Sequence, residues 1–453
     1  MSVINVLHLS DLHFGITPGE WIVGKNGKRD VCYTEEAEKR RKSALDTFVE
    51  DLPQIISDEW TPNLIVVSGD IGWKGNCDDY KEFSEWFSRV CQGLGIGVDK
   101  VILCAGNHDI KRGEVCEIAR IDLTERQENV IYSLSPKEIA HKTSWFSDFE
   151  ECLKKLKIPR LTNSAENIVD GTIHKEAPHY LYGYRQIEEY EQLYFAVCNS
   201  AWNCRGKDGD QGKLILGKEL VDDIYVQNII EQEGIIVITV LHHPFDWLQN
   251  PEQRATVPNG LSSVTVKSKI ESCSHIILNG HVHGRIEESN GDNWYSFTSG
   301  AMYDKDAYLY QCEVIQIDTE NKWCKQGIVT FNQYVFEQGD GRYGKWQFRK
   351  GEKKYFFNAN QRLLKCTEIL SIVSEATFKR IEELMEKIDD NLENRELLEY
   401  LISEIIFLFR QVVSIALTVE QREKLDKYQN IVDEILAKSK DHTKTLTRYE
   451  EIK

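Results

Sequence analysis

Five short segments of this chain combine side chains that proteins commonly use to bind metal ions. They are Asp11-Leu12-His13, Gly69-Asp70, Gly106-Asn107-His108-Asp109, His242-His243-Pro244 and Gly280-His281-Val282-His283. Any one of them is a weak signal, because a Gly-Asp pair is commonly a turn and paired histidines are commonly structural. Each segment, however, directly follows a predicted strand, and ligand sites of α/β proteins favour that edge of a sheet. Together the five segments predict one metal site.

The residue types indicate which metals and which reaction this site supports. Carboxylate oxygens, an amide oxygen and imidazoles suit Mn, Fe, Zn or Ni, and the lack of a thiolate argues against a structural zinc site. Two divalent metal ions bridged by a carboxylate lower the pKa of a shared water, so that a metal-bridging hydroxide forms near neutral pH. The same ions neutralise phosphate oxygens as charge develops. The segments therefore predict a hydrolase that acts on phosphate esters with two metal cofactors.

In order and content, these segments resemble the calcineurin-like metallophosphoesterase superfamily, over roughly residues 1–335. The resemblance implies an α/β fold, a β-sandwich flanked by helices, with a dimetal site at its rim. It also implies a role for each predicted ligand, with no ligand position missing. Asp11, His13 and His283 would hold the first metal, Asp70 would bridge the pair, and Asn107, His242 and His281 would hold the second.

Two further assignments concern histidines beside these ligands. Members of the superfamily commonly carry His-x-Pro after this strand with the first histidine as ligand, which favours His242 and leaves His243 a supporting or structural residue. His108 follows Asn107 and is expected to approach the leaving-group oxygen. We assign it proton donation or transition-state stabilisation, with Asp109 orienting its ring. His108 and Asp109 are therefore the predicted catalytic residues.

The substrate class follows from the sequence after the bridging aspartate. The stretch from Asp70 to Tyr80 resembles the cyclic-nucleotide phosphodiesterase branch more than the protein phosphatases, which usually carry Gly-Asp-x-x-Asp-Arg and Gly-Asn-His-Glu. We therefore expect a phosphodiesterase acting on a nucleotide or related small phosphodiester. A metal-dependent DNA or RNA nuclease remains the alternative, since repair nucleases of the superfamily share these metal motifs. A non-catalytic scaffold is disfavoured by the complete ligand set.

Aromatic and basic residues near the predicted rim are candidates for substrate contact. Aromatic rings can stack on a base, and arginines can bind phosphate. The main candidates are Trp73, Trp202, Arg112 and Arg205, and further ones are Phe245, Trp247, Lys111, Arg254 and Arg285. For each of them a core-packing or solvated role is the more common one.

The elements that must position these residues alternate along the chain. Buried strands are predicted from Val3 to Leu9, from Leu64 to Ser68 and from Val101 to Cys104, and amphipathic helices lie between them. This β-α-β-α-β pattern indicates parallel strands with helices packed on the sheet. Further strands are predicted from Leu193 to Cys198, Ile235 to Leu241 and His275 to Leu278, followed by a β-rich stretch from Trp294 to about Phe348.

The same patterns divide the chain into units. A catalytic domain is predicted over residues 1–350, with a helical insertion at about 114–190 where the alternation is lost. Residues 356–453 read as an α-helical C-terminal domain, with an apolar face that includes Leu397, Leu401 and Ile405. This region is expected either to dock on the catalytic domain or to mediate a homodimer or bind a protein partner.

Composition limits the partners. The net charge of −18 disfavours nonspecific binding to nucleic acid or to an anionic membrane, because such binding rests on lysine and arginine. Twelve cysteines without a Cys-x-x-Cys pair read as reduced packing residues of a cytoplasmic protein. The sequence offers neither a signal-like N-terminus nor an apolar run of membrane-spanning length, so no membrane association is expected.

Overall fold

The structure is a computed structural model. It describes residues 3–16, 19–23, 29–33, 35–111, 144–162, 182–204, 209–217, 221, 234–253, 265–289, 294–302, 310–333 and 344–357, with single positions at 379, 381, 383–384, 387, 427–428 and 430–431. All structural statements below concern this part of the chain. None of its helices is both long and apolar enough to cross a lipid bilayer.

Fifteen strands and five α-helices make up the described part of the chain. The strands are β1 (Val3–Leu9), β2 (Gly19–Val23), β3 (Arg29–Tyr33), β4 (Leu64–Val67), β5 (Val101–Leu103), β6 (Tyr182–Gln186), β7 (Leu193–Cys198), β8 (Ile236–Leu241), β9 (Ile276–Asn279), β10 (Ile286–Ser289), β11 (Tyr295–Thr298), β12 (Tyr310–Asp318), β13 (Trp323–Gln333), β14 (Gly344–Arg349) and β15 (Tyr355–Phe356). The helices are α1 (Glu35–Ile55), α2 (Cys77–Leu94), α3 (Ser147–Leu156), α4 (Asn250–Gln253) and α5 (Val266–Cys273).

Two mixed sheets carry the architecture. The first has the order β14-β13-β12-β1-β4-β5, with β15 pairing β13, and its strands β1, β4 and β5 are parallel. The second has the order β10-β11-β9-β8-β7-β6, and its strands β7, β8, β9 and β11 are parallel. Because parallel strands point the same way, the loops after β1, β4 and β5 share one edge, and so do those after β8 and β9.

Side-chain alternation separates an inner core from an outer one. On β1, Ile4 and Val6 belong to the apolar cluster shared with the second sheet, whereas Leu7 and Leu9 belong to the cluster that includes the helices. Successive side chains of a strand point to opposite faces, which explains this division. Helices α1 and α2 cover the first sheet and are joined where the Trp86 indole nitrogen donates to the Leu45 carbonyl at 2.9 Å. The predicted α/β sandwich flanked by helices is confirmed.

The structure differs from the sequence predictions in the position and number of several strands. The hairpin β2–β3 stands between β1 and α1, where the sequence indicated no strand. Within the predicted helical insertion of residues 114–190, α3 is helical but β6 is a strand that pairs antiparallel with β7. Strand β15 extends the first sheet beyond the predicted boundary at residue 350, through pairs with Trp323 and Cys324. The predicted all-α domain of residues 356–453 lies almost wholly outside the described residues and stays a prediction.

Candidate metal centre

The five predicted segments meet at one rim of the sandwich. Asp11 and His13 follow β1, Asp70 follows β4, and Asn107 follows β5 of the first sheet. His242, His281 and His283 follow β8 and β9 of the second sheet. Backbone hydrogen bonds join the first two segments, because the His13 amide donates to the Asp70 carbonyl at 3.0 Å. The site is therefore assembled from both sheets.

The backbone is held in an unusual conformation at most of these ligands. The left-handed φ region is costly for residues with a side chain, and it persists only where surrounding structure enforces it. Seven described residues other than glycine have a positive φ, and five of them are predicted ligands. They are Asp11 (53°), His13 (48°), Asp70 (54°), His281 (71°) and His283 (55°). Such strain, concentrated at one rim, marks a functional site.

One motif glycine, Gly69, lies where the structure leaves no room for a side chain. Its φ is 112°, and an added Cβ would lie 2.5 Å from Nδ1 of His242. A side chain there would push apart the two sheets where Asp70 and His242 approach each other. The Gly-Asp motif therefore reflects close packing of the site as well as the turn after β4.

Asp11, His13 and His283 form one candidate ligand group. Nε2 of His283 lies 3.3 Å from Oδ1 of Asp11, and Nε2 of His13 lies 4.0 Å from the same oxygen. That oxygen is buried and accepts no hydrogen bond from the part of the chain that the structure describes. A buried carboxylate oxygen facing two imidazoles without a hydrogen bond has the surroundings that a divalent cation requires.

Asp70 connects this group to the second one. Its Oδ2 lies 3.3 Å from Nε2 of His13 and 3.1 Å from Nε2 of His242, while its Oδ1 accepts from the His108 amide at 2.7 Å. Nε2 of His242 also lies 3.1 Å from Oδ1 of Asn107 and 3.3 Å from Nδ1 of His281. Asp70 thus stands between both sets of donor atoms, as a bridging carboxylate does.

The protonation states of these groups favour a cation. Burial alone would raise the pKa of Asp70, but His242 and His108 hold it well below its usual value. Burial lowers the pKa of His281 to about 3, with help from the charge of His242. Burial opposes protonation of His242 too, but Asp70 and Asp11 raise its pKa to about 9. The carboxylates that attract this proton attract a metal ion in its place.

The choice between His242 and His243 follows from their partners. His242 uses Nδ1 as a donor to the Ser68 carbonyl at 2.9 Å, which leaves Nε2 for the metal. His243 is close enough to His242 and His281 to belong to a possible ligand cluster. Its Nδ1, however, is 2.8 Å from the Ser200 hydroxyl, and its Nε2 is 3.9 Å from Sγ of Cys204. We therefore favour His242 as the ligand and assign His243 a supporting position.

His108 lies beside the ligands with a fixed ring. Its Nδ1 is 3.0 Å from the Trp73 carbonyl, and its ring stacks on the indole of Trp73 with centroids 4.1 Å apart. The His108 ring centroid is 4.8 Å from that of His13. Since a carbonyl only accepts, Nδ1 carries a proton, and donation of a proton from Nε2 therefore requires the doubly protonated imidazolium.

The hydrogen bonds of Asp109 differ from the predicted role of this residue, which was to orient the His108 ring. Its carboxylate accepts from the amides of Gly72 at 2.8 Å, Gly106 at 2.8 Å and Ile71 at 3.2 Å, and from the Tyr80 hydroxyl at 3.0 Å. The group shown to orient His108 is the Trp73 carbonyl, so the expectation that Asp109 does this is corrected. Burial and the charge of Asp70 raise the pKa of Asp109 to about 6. Asp109 fastens the loops after β4 and β5 to each other.

Residues 4–285 match the family model described as calcineurin-like phosphoesterase, a range that contains all seven predicted ligands. The chain belongs to the calcineurin-like phosphoesterase family. Members of this family depend on two metal ions, and the donors described above fit such a pair. The family resemblance seen in the sequence is confirmed.

Individual relatives are distant. The uncharacterized metallophosphoesterase-like protein YydB of Bacillus subtilis is 24% identical over 335 residues, covering 70% of this chain and 56% of YydB. The chain therefore spans little more than half of that relative's length. A dimetal phosphatase from Danio rerio matches with a TM-score of 0.35 and 11% identity, over 77% of this chain and 99% of its own. A 5'-nucleotidase from Candida albicans matches with a TM-score of 0.32 and 12% identity, over 79% and 52%.

The structure describes only some of the residues that the sequence predicts to contact substrate. Trp73 lies at the site, against His108 and His13. Trp202 is only 2% exposed and packs within the apolar core, so the prediction that it stacks on a substrate is wrong. Arg112 and Arg205 lie outside the described residues, and their roles stay predictions.

Two supporting residues were not found by sequence reasoning. The buried Asp79 accepts from the amides of Trp73 at 3.0 Å and Lys74 at 2.7 Å, and so holds the loop after Asp70. Arg41, which is also buried, donates to the His13 carbonyl at 3.4 Å and to Glu82 at 3.1 Å. An acidic residue in the first turn of α2 was a usable signal for Asp79. Nothing local in the sequence marks Arg41, because its partners lie on other elements.

Proposed function

We propose that this phosphoesterase is a phosphodiesterase acting on a nucleotide or a related small phosphodiester. The supporting observation is the charge of the donor set. Asp11 and Asp70 are the only carboxylates among the seven predicted ligands, and the other five donors are neutral when they bind a metal. With two divalent ions and a hydroxide nucleophile, one net positive charge remains. A diester carries one negative charge and balances it, whereas a monoester carries nearly two.

The site residues have three roles in the proposed reaction, which are metal binding, proton transfer and contact with the substrate. Two divalent ions, when bound, would activate a water molecule and neutralise the phosphate oxygens. Asp11, His13, His283, Asn107, His242 and His281 would hold these ions, with Asp70 between them. His108, as an imidazolium whose ring is held by the Trp73 carbonyl, delivers the Nε2 proton to the leaving oxygen and becomes neutral. Trp73 adds an apolar surface at the rim.

The test compares a diester with a monoester on the same enzyme preparations. Protein stripped of metal is resupplied with Mn, Fe, Zn or Ni, and kcat/KM is measured for bis-p-nitrophenyl phosphate and for p-nitrophenyl phosphate. We expect metal-dependent turnover with the higher kcat/KM for the diester. A higher kcat/KM for the monoester would overturn the phosphodiesterase assignment while leaving the phosphoesterase family unaffected.

A second arm addresses the size of the substrate. Cyclic nucleotides, dinucleotides and duplex DNA are offered to the same metal-loaded protein. We expect the small diesters to be hydrolysed with the higher kcat/KM, because a chain with a net charge of −18 repels a long polyanion. Faster cleavage of duplex DNA would instead support the nuclease hypothesis.

A further inference from the structure

A cleft of about 280 Å³ opens where the edges of the two sheets come together. Strands β13, β14 and β15 of the first sheet contribute one side of it, and the start of β10 in the second sheet contributes the other. We call it the Arg285 cleft, and the residues that define it are Arg285, Gln326, Arg349, Lys350, Lys353 and Tyr355. None of these residues is a predicted metal ligand, so the cleft is a separate feature of the rim.

The charge of the Arg285 cleft is opposite to that of the chain. Four of its lining side chains are basic, and the acidic lining residues are Glu287 and Glu352, whereas the whole chain carries −18. Arg285 forms an ion pair with Glu287, and Lys350 forms one with Glu59 at 3.3 Å, which leaves Arg349 and Lys353 as the basic residues without a carboxylate partner in the described ranges. Arg349 forms no ion pair with any described residue, and the Lys353 amine lies over the Tyr355 ring at 4.6 Å. A concave cationic surface on an acidic protein concentrates anions.

Arg285 is held in place by a buried chain of hydrogen bonds. The Ser68 hydroxyl lies 2.9 Å from Nε2 of His8, and Nδ1 of His8 lies 2.6 Å from Oε1 of Glu313. Glu313 accepts from the Gln326 amide nitrogen, and Gln326 in turn accepts from Arg285 at 2.6 Å. Gln326 is only 3% exposed, so its position is fixed by the core. The guanidinium is therefore preorganised by the interior of the sandwich.

The Arg285 cleft is also close to the metal centre. Arg285 follows the predicted ligand His283 by two residues, so their Cα atoms are at most about 7.6 Å apart. The other end of the buried chain, Ser68, supplies the carbonyl that orients His242. At Arg285 the cleft therefore lies next to the predicted metal centre.

We propose that the Arg285 cleft binds a second phosphate group of the substrate, so that the preferred diester carries an additional terminal phosphate. This inference rests on the proposed phosphodiesterase function. Arginine and lysine side chains form charge-assisted hydrogen bonds with phosphate oxygens, which gives the extra group its affinity. Diesters without that group lose this contact and bind less tightly.

The experiment measures what the extra phosphate contributes. The two chromogenic substrates are thymidine 5'-(p-nitrophenyl phosphate) and the same compound with a 3'-phosphate, and the readout is the ratio of their kcat/KM values. We expect the 3'-phosphate to raise kcat/KM about tenfold, which corresponds to one good charge-assisted contact. In Arg349→Gln/Lys353→Gln the ratio should fall to about one. The ratio cancels any difference in the amount of active enzyme.

The matched control is Arg89→Gln/Lys345→Gln, which removes the same two charge types from exposed positions outside the cleft. The control should keep the tenfold ratio. A ratio that is near one in the natural protein, or equal in both double variants, overturns the proposal.

Binding separates this proposal from the phosphodiesterase function itself. Calorimetry of the metal-loaded protein compares thymidine 3',5'-bisphosphate with thymidine 5'-phosphate, and it needs no turnover. Tighter binding of the bisphosphate that Arg349→Gln/Lys353→Gln abolishes supports the cleft even if neither ester is hydrolysed. Equal affinities for the bisphosphate and the monophosphate would overturn the proposal that the Arg285 cleft binds a phosphate group, whatever ester the enzyme hydrolyses.

Discussion

Asp70 lies between the two candidate ligand groups and touches a histidine of each. Its Oδ2 lies within 3.3 Å of His13 and 3.1 Å of His242, and its charge holds the two histidines in place. We expect Asp70→Asn to lose at least about 10³-fold in kcat/KM, because an amide neither bridges two cations nor supplies the missing charge. Metal content measured by plasma mass spectrometry should fall below two ions per chain.

The control for this variant is Asp46→Asn, an isosteric change at an exposed aspartate of α1 that pairs with Arg89. It should keep both the activity and the metal content. If Asp70→Asn retained two ions and near-normal turnover, the bridging role would be refuted.

For His108 we predict a loss of activity without a loss of metal, because we assign this residue to the leaving group and not to a metal ion. We expect His108→Gln to keep its metal content and to lose about 10²- to 10⁴-fold in kcat, the usual range for a general acid. The loss should be smaller for a p-nitrophenolate leaving group than for an alkoxide, since a stable anion departs without a proton. Steady-state kinetics on a matched aryl and alkyl diester pair measures this difference.

An equal loss for both leaving groups would assign His108 to charge stabilisation in place of proton transfer. Loss of metal in His108→Gln would indicate that His108 is a metal ligand. Its position in a cluster with His13 and Asp70 is compatible with that role. The two readouts together therefore distinguish three roles of one side chain.

At the scale of elements, the sequence predicted what short-range patterns encode. Strands β1, β4, β5, β7, β8 and β9 were all placed within one or two residues of their observed ends, because buried parallel strands are continuous apolar runs. The predicted ligands follow those strands, so predicting the strands was enough to predict that these residues share one rim.

Elements without such a pattern were missed. Strand β10 is exposed along its whole length and contains Glu287 and Glu288, so it shows no apolar alternation. Strand β6 contains Gly183 and Arg185 and is fixed by pairing with β7, a long-range contact that its own sequence does not signal. Trp202 and Asp109 were misread for the same reason, because burial and hydrogen-bond partners arise only when distant segments meet.

Helix α2 is the element that holds the loop between Asp70 and Asn76. Tyr80, in its second turn, donates to the Asp109 carboxylate at 3.0 Å, and both residues are buried. We expect Tyr80→Phe to lower the free energy of unfolding by about 1.5–3 kcal/mol, the range for a hydrogen bond to a charged group. Urea denaturation followed by tryptophan fluorescence measures this change.

The comparison variant for Tyr80→Phe is Tyr184→Phe. The Tyr184 ring stacks on Tyr194 at 5.2 Å, and its hydroxyl has no hydrogen-bond partner in the described ranges. That variant should change the unfolding free energy by less than about 0.5 kcal/mol. Equal destabilisation by the two variants would mean that the bond to Asp109 contributes nothing beyond ring packing.

At the scale of the whole molecule, the metal centre lies across the seam between the two sheets. Asp11 and Asp70 come from the first sheet, and their oxygens lie within 4.8 Å of each other and of a His242 nitrogen from the second. Two buried carboxylates at that distance repel each other unless a cation lies between them. Direct links across the seam include the His281 amide donating to Asp11 at 3.0 Å. The ions would thus act as cross-links between the sheets.

Metal removal should therefore loosen the rim and leave the far side of the sandwich intact. We expect chelation to reduce hydrogen-exchange protection in the loops after β8 and β9, which contain His242, His281 and His283. Protection of the paired strands β12 and β13 should not change, since their register is fixed by continuous antiparallel pairing. Exchange measured by mass spectrometry, before and after chelation, resolves these regions. A uniform loss would mean that the ions stabilise the fold as a whole, and no loss would mean that the direct links already hold the seam without them.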